Sequence, residues 1–369
     1  MRQFCRAYSP HMIRSTLSSE CGPHVRQTTS DKSRDSVSDF PRRALAPTFL
    51  PTLLAALVLF AGCRTGSTGA QWQSSVHREH PLVGRIWDAA AGRHVDEHVV
   101  SARIAEARYV LLGEKHDNPD HHSLQARLVR ALTAAGRRPV VAFEMFTPTQ
   151  AGALARYLTA HPREAAGIGK AVNWNASGWP AWALYEPIAQ AALDTGLSIV
   201  PANLDDERVR AVSRQGVATL DPRFVQRHGL DEPLPVNIRE AMAEEIRDSH
   251  CGHAPENRIG AMIAVQRARD AQMAEALLTA PGNDGAVLIA GDGHVRNDYG
   301  VPAYVRRIDP GARTVSVAFV EVDAKRAEAE SYAERFGGQL PFDYVWFTPA
   351  VDDEDPCEKF KKSLERLRR

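Results

Sequence analysis

The feature that most constrains this chain is a set of short, wholly apolar runs that each end in residues able to bind metal or move protons. Tyr109-Val-Leu-Leu runs into Gly113-Glu114-Lys115-His116, and Val140-Val-Ala-Phe143 runs into Glu144. Further on, Val200-Pro-Ala leads to Asn203-Leu-Asp205, and Val287-Leu-Ile-Ala-Gly leads to Asp292-Gly-His294. Apolar runs of this length fit strands buried on both faces. Helical patterns separate them, so the predicted fold is α/β, a mostly parallel sheet with crossover helices. In such a sheet the carboxyl ends share one edge, where ligands bind. Glu114, His116, Glu144, Asp205 and His294 are therefore expected to converge. A polar residue at one strand end is commonly just a cap or loop starter, but four such ends together point to a site.

The first of these strands also predicts its own exit. Asn118 suits a helix N-cap and Pro119 the first helical position, and Leu124, Leu128 and Leu132 recur on one face until Gly136. Glu114, His116, His121 and His122 then crowd one strand-to-helix junction. Core strands are read at 108–112, 139–146, 197–204 and 286–290, with later candidates at 315–322 and 344–347. Before them, a small hairpin is expected around Ala90 to Gly92, and Asp96 suits the cap of a helix reaching Ala107.

Residues 206–285 are too long for one crossover helix. Ile238, Met242 and Ile246 share a face, as do Ile259, Met262, Ile263, Met273 and Leu277, which predicts an inserted helical hairpin. His250-Cys251-Gly252-His253 lies at its turn and matches no closed zinc spacing. Gln266, Arg269 and Asp270 interrupt the second apolar stripe, facing either the same pocket or solvent. Trp174, Trp179 and Trp182 with Tyr185 either line an apolar pocket or close the core beneath a loop, the commoner outcome.

The amino-terminal region has a different character. Arg42 and Arg43 precede an apolar run at 49–60, too short to span a bilayer comfortably, and Ala61-Gly62-Cys63 follows it. Small residues before a cysteine suit a lipoprotein signal, with Cys63 the lipidated residue, against the plainer reading of a short buried helix or signal anchor. Residues 1–62 are thus read as a signal region, long enough to suggest an early start codon. Residues 63–81 are read as a flexible tether, 82–350 as the folded domain and 351–369 as a charged tail without assigned chemistry. The 45 basic and 45 acidic residues balance, so no net field points to nucleic acid. Cysteines at 5, 21, 63, 251 and 357 are odd in number, which argues against a complete disulfide framework.

The motifs themselves resemble the ChaN-like haem-binding uptake lipoproteins, within the wider superfamily of Tiki, TraB and erythromycin-esterase proteins. The matching pieces are Gly113-Glu-Lys-His-Asp-Asn-Pro-Asp-His-His122 with Gln125, Phe143-Glu-Met145, 182–187, Ala202-Asn-Leu204, Ser249-His-Cys-Gly252, Gln266 with Arg269-Asp270, Gly291-Asp-Gly-His-Val-Arg296 and Gly300-Val-Pro302. The resemblance implies a helical insertion in an α/β domain, attachment to the outer membrane of the cell envelope through lipid, and a part in haem or iron uptake. It also implies haem held at a homodimer interface by tyrosine and histidine. The residues it proposes for haem are Tyr185, His116, Trp182, His250 and Arg296, with Tyr299 behind Tyr185.

The same superfamily supports a rival. In its hydrolytic branches Gly-x-x-His and acidic strand ends form catalytic sites, and Gly113-Glu-Lys-His116 fits that pattern. A divalent metal on His116, His294 and Glu114 or Glu144 would activate water, so catalysis by Glu114, His116, Glu144 and His294 stays open. No Gly-x-Ser-x-Gly elbow is present, so such an enzyme would use water rather than a covalent intermediate.

Overall fold

The computed structural model describes residues 72–282, 284–355, 357–359 and 361. The expected signal region, Cys63 and the start of the tether lie outside the described residues.

Eight strands form one sheet: β1 (Ile86–Asp88), β2 (Arg93–Val95), β3 (Tyr109–Glu114), β4 (Val140–Phe143), β5 (Ile199–Pro201), β6 (Ala286–Gly291), β7 (Thr314–Glu321) and β8 (Tyr344–Thr348). Their spatial order is β2-β1-β8-β7-β3-β6-β4-β5. From β8 to β5 every pairing is parallel, as expected for buried apolar runs. The anticipated hairpin is β1–β2, and it does more than cap the chain: β1 pairs antiparallel with β8 and extends the sheet.

Alternation along the strands sorts the two faces. Val110 and Leu112 face one buried layer with Val287 and Ile289, while Tyr109 and Leu111 face the other with Leu288 and Ala290. Helices α1 (Glu97–Glu106), α2 (Pro119–Ala134), α3 (Ala151–Ala160), α4 (Ile168–Ala171) and α5 (Trp182–Asp194) precede β5. Residues of α1, α2 and α5 cover the first face. Asn118 caps α2 as its sequence predicts, its side chain accepting from the Asp120 and His121 N–H groups.

Between β5 and β6 lie α6 (Asp206–Gln215), α7 (Pro222–His228), α8 (Val236–Ser249) and α9 (Glu256–Leu278), and α10 (Val301–Ile308) follows β6. The predicted hairpin is α8–α9, with a small core of Met242, Ile246, Ile259 and Met262. The insertion also holds α6 and α7, whose short apolar stripes the long hairpin patterns overshadow in the sequence.

Two ends of the domain depart from expectation. The tether does not run free to residue 81. Trp72 packs against the first core layer, and the Gln73 and Ser74 N–H groups donate to the Asp120 carboxylate at 2.7 and 2.8 Å. At the other end, Cys357 forms a disulfide with Cys251 in the α8–α9 turn. An odd cysteine count does not prevent a single pair from forming across distant segments.

Candidate functional site

Parallel pairing sets the site's spacing. Glu114 closes β3 opposite Gly291 on β6, and the Glu144 N–H donates to the Ile289 carbonyl at 2.9 Å. With β6 between β3 and β4, the two glutamates flank a glycine. The glycine leaves room for the site's side chains: an added Cβ would sit 2.9 Å from His116 Nε2 and 3.7 Å from Glu144 Oε2.

Each glutamate is buried and paired with histidines. Glu114 Oε1 lies 2.9 Å from His116 Nδ1, and its Oε2 lies 3.1 Å from His122 Nε2. Burial opposes its charge, but His122 and His116 outweigh burial and hold its pKa at about 2. Glu144 accepts the Gly291 N–H at 2.8 Å, and its Oε1 lies 3.3 Å from His294 Nε2. Burial opposes that charge too, and His294 overrides it, so this carboxylate also titrates well below its ordinary range.

His294 is gripped from both sides. Its Nδ1 lies 2.6 Å from Asp270 Oδ1, and the Gln266 amide nitrogen lies 3.1 Å from the same atom. Burial disfavours the imidazolium, but Glu144 and Asp270 raise its pKa to about 10. Burial pushes Asp270 itself up to about 6. Gln266 and Asp270, an i,i+4 pair on α9, thus turn toward the sheet edge. Polar residues four apart inside an apolar stripe are the signal that marks them as partners of the predicted set.

Four predicted residues, Glu114, His116, Glu144 and His294, therefore converge. Asp205 does not join them: its Oδ1 accepts the Thr149 N–H at 3.0 Å and ties down the loop after β4. His121 stands behind the site, accepting the Lys115 N–H at 2.9 Å and meeting Thr348 Oγ1 at 2.9 Å. Burial holds its pKa well below the ordinary histidine value.

The residues proposed for haem separate sharply. His116 keeps a quarter of its side chain exposed, at 25 %, with the Trp179 ring 4.8 Å away. Tyr185, the expected iron ligand, is fully buried, and its hydroxyl donates to the His116 carbonyl at 3.2 Å. Burial, then the charges of Glu114 and Glu144, drives its pKa well above that of a free phenol. Trp182 packs against Trp174 and donates its indole N–H to Ala165, so it belongs to the core. His250 is buried, with Nδ1 bonded to the Ile246 carbonyl at 2.8 Å. Arg296 is engaged by Glu245 at 2.7 Å and Asp298 at 2.8 Å and lies over the Tyr299 ring. Tyr299 in turn donates its hydroxyl to Glu245. Each of these five residues, Tyr185, Trp182, His250, Arg296 and Tyr299, satisfies a structural contact because its helix or loop packs inward at that point.

A family model described as haem-binding uptake, Tiki superfamily, ChaN matches residues 100–305. The chain belongs to this family. Every member of the Glu114–His116–His122 and Glu144–His294–Asp270 groups falls inside the matched span. This ChaN-like chain also shares its fold with a solved structure of ChaN from Campylobacter jejuni, described as binding haem cofacially, at TM-score 0.53 and 20 % identity. That match covers 71 % of this chain and 95 % of the other. A structure of the erythromycin esterase EreC in an open conformation aligns at TM-score 0.33 and 13 % identity, over 73 % of this chain and 83 % of its own. No curated protein matched the sequence.

Proposed function

We propose that this ChaN-like chain binds haem at the carboxyl edge of its sheet, as part of haem or iron uptake at the cell envelope. The observation that carries the reading is the position of His116. Within a family of haem-binding uptake proteins, it is the partly exposed member of a buried acid–base network and has an indole against it. Its Nδ1 is bonded to Glu114, which leaves Nε2 as the nitrogen able to donate a lone pair, and a carboxylate behind an imidazole strengthens that donation to iron. Trp179, Pro180 and Leu184 are half-exposed and give the rim an apolar face suited to a flat macrocycle. Haem supplies the iron and a planar apolar surface; the chain supplies a fixed imidazole, an aromatic rim and a charged floor.

The geometry favours Glu114, Glu144 and Asp270 as structural partners of histidine, since each already directs oxygen atoms to one. Among the described residues, no group of three or more His, Cys, Asp or Glu side chains is arranged to hold a metal ion. A lipid on Cys63 would anchor the chain, and the Cys251–Cys357 disulfide supports an oxidising compartment outside the cytoplasm. A second copy of the chain would cover the outer face of a porphyrin lying against Trp179.

Titration of the purified protein with haemin, followed at the Soret band and by sedimentation, tests this. The expected result is saturation near one haem per chain, a shifted band and haem-linked dimerisation. Adsorption without saturation would refute it.

A further inference from the structure

The amino ends of β4 and β5 border a cleft of about 730 Å³, at the opposite end of β4 from Glu144 and its histidines. Three exposed arginines line it from three segments: Arg130 on α2, Arg138 in the turn into β4, and Arg163 in the loop after α3. Asp194 is the acid among the lining residues, and its Oδ1 already accepts the Gln190 amide N–H at 2.6 Å. The cleft therefore keeps two positive charges in excess, although the whole chain is balanced. Like charges gathered in one cavity repel, and an anion between them removes that repulsion.

Two helices end at this cleft, and arginines near a helix carboxyl end often serve its free carbonyls. Here the backbone serves most of them itself. In α2 the Ala131, Leu132 and Thr133 carbonyls accept the Ala135, Arg137 and Gly136 N–H groups, and in α5 Ala192 and Leu193 accept those of Leu197 and Gly196. Gly136 and Gly196 turn left-handed to allow it, at φ 83° and 73°. Arg138 donates Nη1 alone, to the Thr133 and Arg137 carbonyls. Neither Arg130 nor Arg163 directs its guanidinium to an acceptor among the described residues. The Arg163 segment is nonetheless held in place: Gln190 on α5 donates to the Arg163 carbonyl at 2.9 Å and accepts the Ala165 N–H at 3.0 Å.

We infer that this cleft is a second ligand site, in which Arg130, Arg138 and Arg163 take a doubly charged phosphate group. A dianion balances the excess charge of the lining. Its tetrahedral oxygens point in several directions and can meet guanidiniums arriving from three segments, whereas a carboxylate offers one planar edge. The cleft is independent of the haem reading, because its lining residues lie at the other end of the strands from His116. A soluble phosphate ester and a lipid headgroup share this chemistry.

Isothermal titration calorimetry of the purified protein with inorganic phosphate tests the site, at constant ionic strength and mildly alkaline pH, where phosphate is a dianion. Saturable binding at one site is expected, shared by sulfate and not by singly charged nitrate. Arg130→Gln with Arg163→Gln should weaken phosphate by at least ~10-fold, while Arg239→Gln, at an exposed position on α8, should bind as the parent does. Both cleft positions are exposed, and Arg130→Lys with Arg163→Lys, which keeps the charge but not the fork, should lose less affinity than the glutamine pair. The proposal falls if phosphate does not saturate the parent, if nitrate binds equally, or if the glutamine pair binds phosphate as tightly as the parent. Sedimentation with phosphatidylcholine vesicles containing phosphatidate, in a Cys63→Ser background, then separates the two sources. Retention that the glutamine pair abolishes assigns a lipid headgroup; phosphate binding without retention assigns a soluble phosphate ester.

Discussion

Glu114 holds His116 by its Nδ1 at 2.9 Å, from a carboxylate that no solvent reaches and that His122 occupies on its other oxygen. The imidazole at the site mouth is thus fixed by a group beneath it. Glu114→Gln keeps the shape but presents an amide N–H to one of the two rings. Haemin affinity should fall by roughly tenfold, the scale of one charge-assisted hydrogen bond, while the far-ultraviolet circular dichroism stays unchanged. Unaltered affinity in Soret titration would remove Glu114 from the site.

The two buried pairs predict opposite pH limits. The pKa of Glu114 is depressed to about 2, so its contribution to stability is present above the ordinary carboxylate range and is lost as pH falls toward 2. His294 is raised to about 10, so its contribution is full below the ordinary histidine value and is lost as pH rises from there toward 10. Tm should therefore decline between neutral pH and pH 10, and His294→Gln should flatten that decline. A parallel fall in both proteins would contradict the assignment.

Gly291→Ala should disturb the ligand site more than the fold. Its Cβ would press on His116 Nε2 at 2.9 Å, a side-chain atom of a partly exposed ring rather than backbone. Gly113→Ala, by contrast, drives a Cβ to 2.4 Å from Val295 Cγ2 and 3.0 Å from Asp292 Cα and should cost about 1–3 kcal/mol in urea unfolding. The expected contrast is weak haemin binding with near-parental stability in the first variant and lowered stability in the second.

Reducing the Cys251–Cys357 bond, or replacing both residues with serine, releases a closure of 106 positions in the chain. Loss of about 2–5 kcal/mol is expected. Urea denaturation with and without reductant measures it, and identical midpoints would show that the tail does not constrain the domain.

Cys63→Ser tests the anchor. In detergent-free fractionation the parent should sediment with membranes and the variant should remain soluble or keep its leader. Equal membrane retention of a processed variant would exclude lipid at Cys63.

Much of the site was legible because strand ends are local features. Glu114, Glu144 and His294 each close an apolar run, and Asn118-Pro119 marks a helix start wherever it occurs. Gln266 and Asp270 were visible as breaks in the α9 stripe, but their direction was not, since a polar residue on a helix faces either a pocket or water. Trp182 and Tyr185 looked like ligand groups because a lining aromatic and a core aromatic share one composition. Only the packing of α5 against α2 and the core separates them.

The sequence by itself determined the α/β class, the main helices and strands, the α8–α9 hairpin and the acid–base character of one edge, because hydrophobic period and capping act within a few residues. The tertiary structure alone decided which histidine meets which carboxylate, why Asp205 stays apart and that Cys357 reaches Cys251. Those outcomes depend on β6 inserting between β3 and β4 and on the insertion folding back over the sheet. Contacts between segments more than a hundred residues apart arise from strand order and packing, which no local pattern encodes.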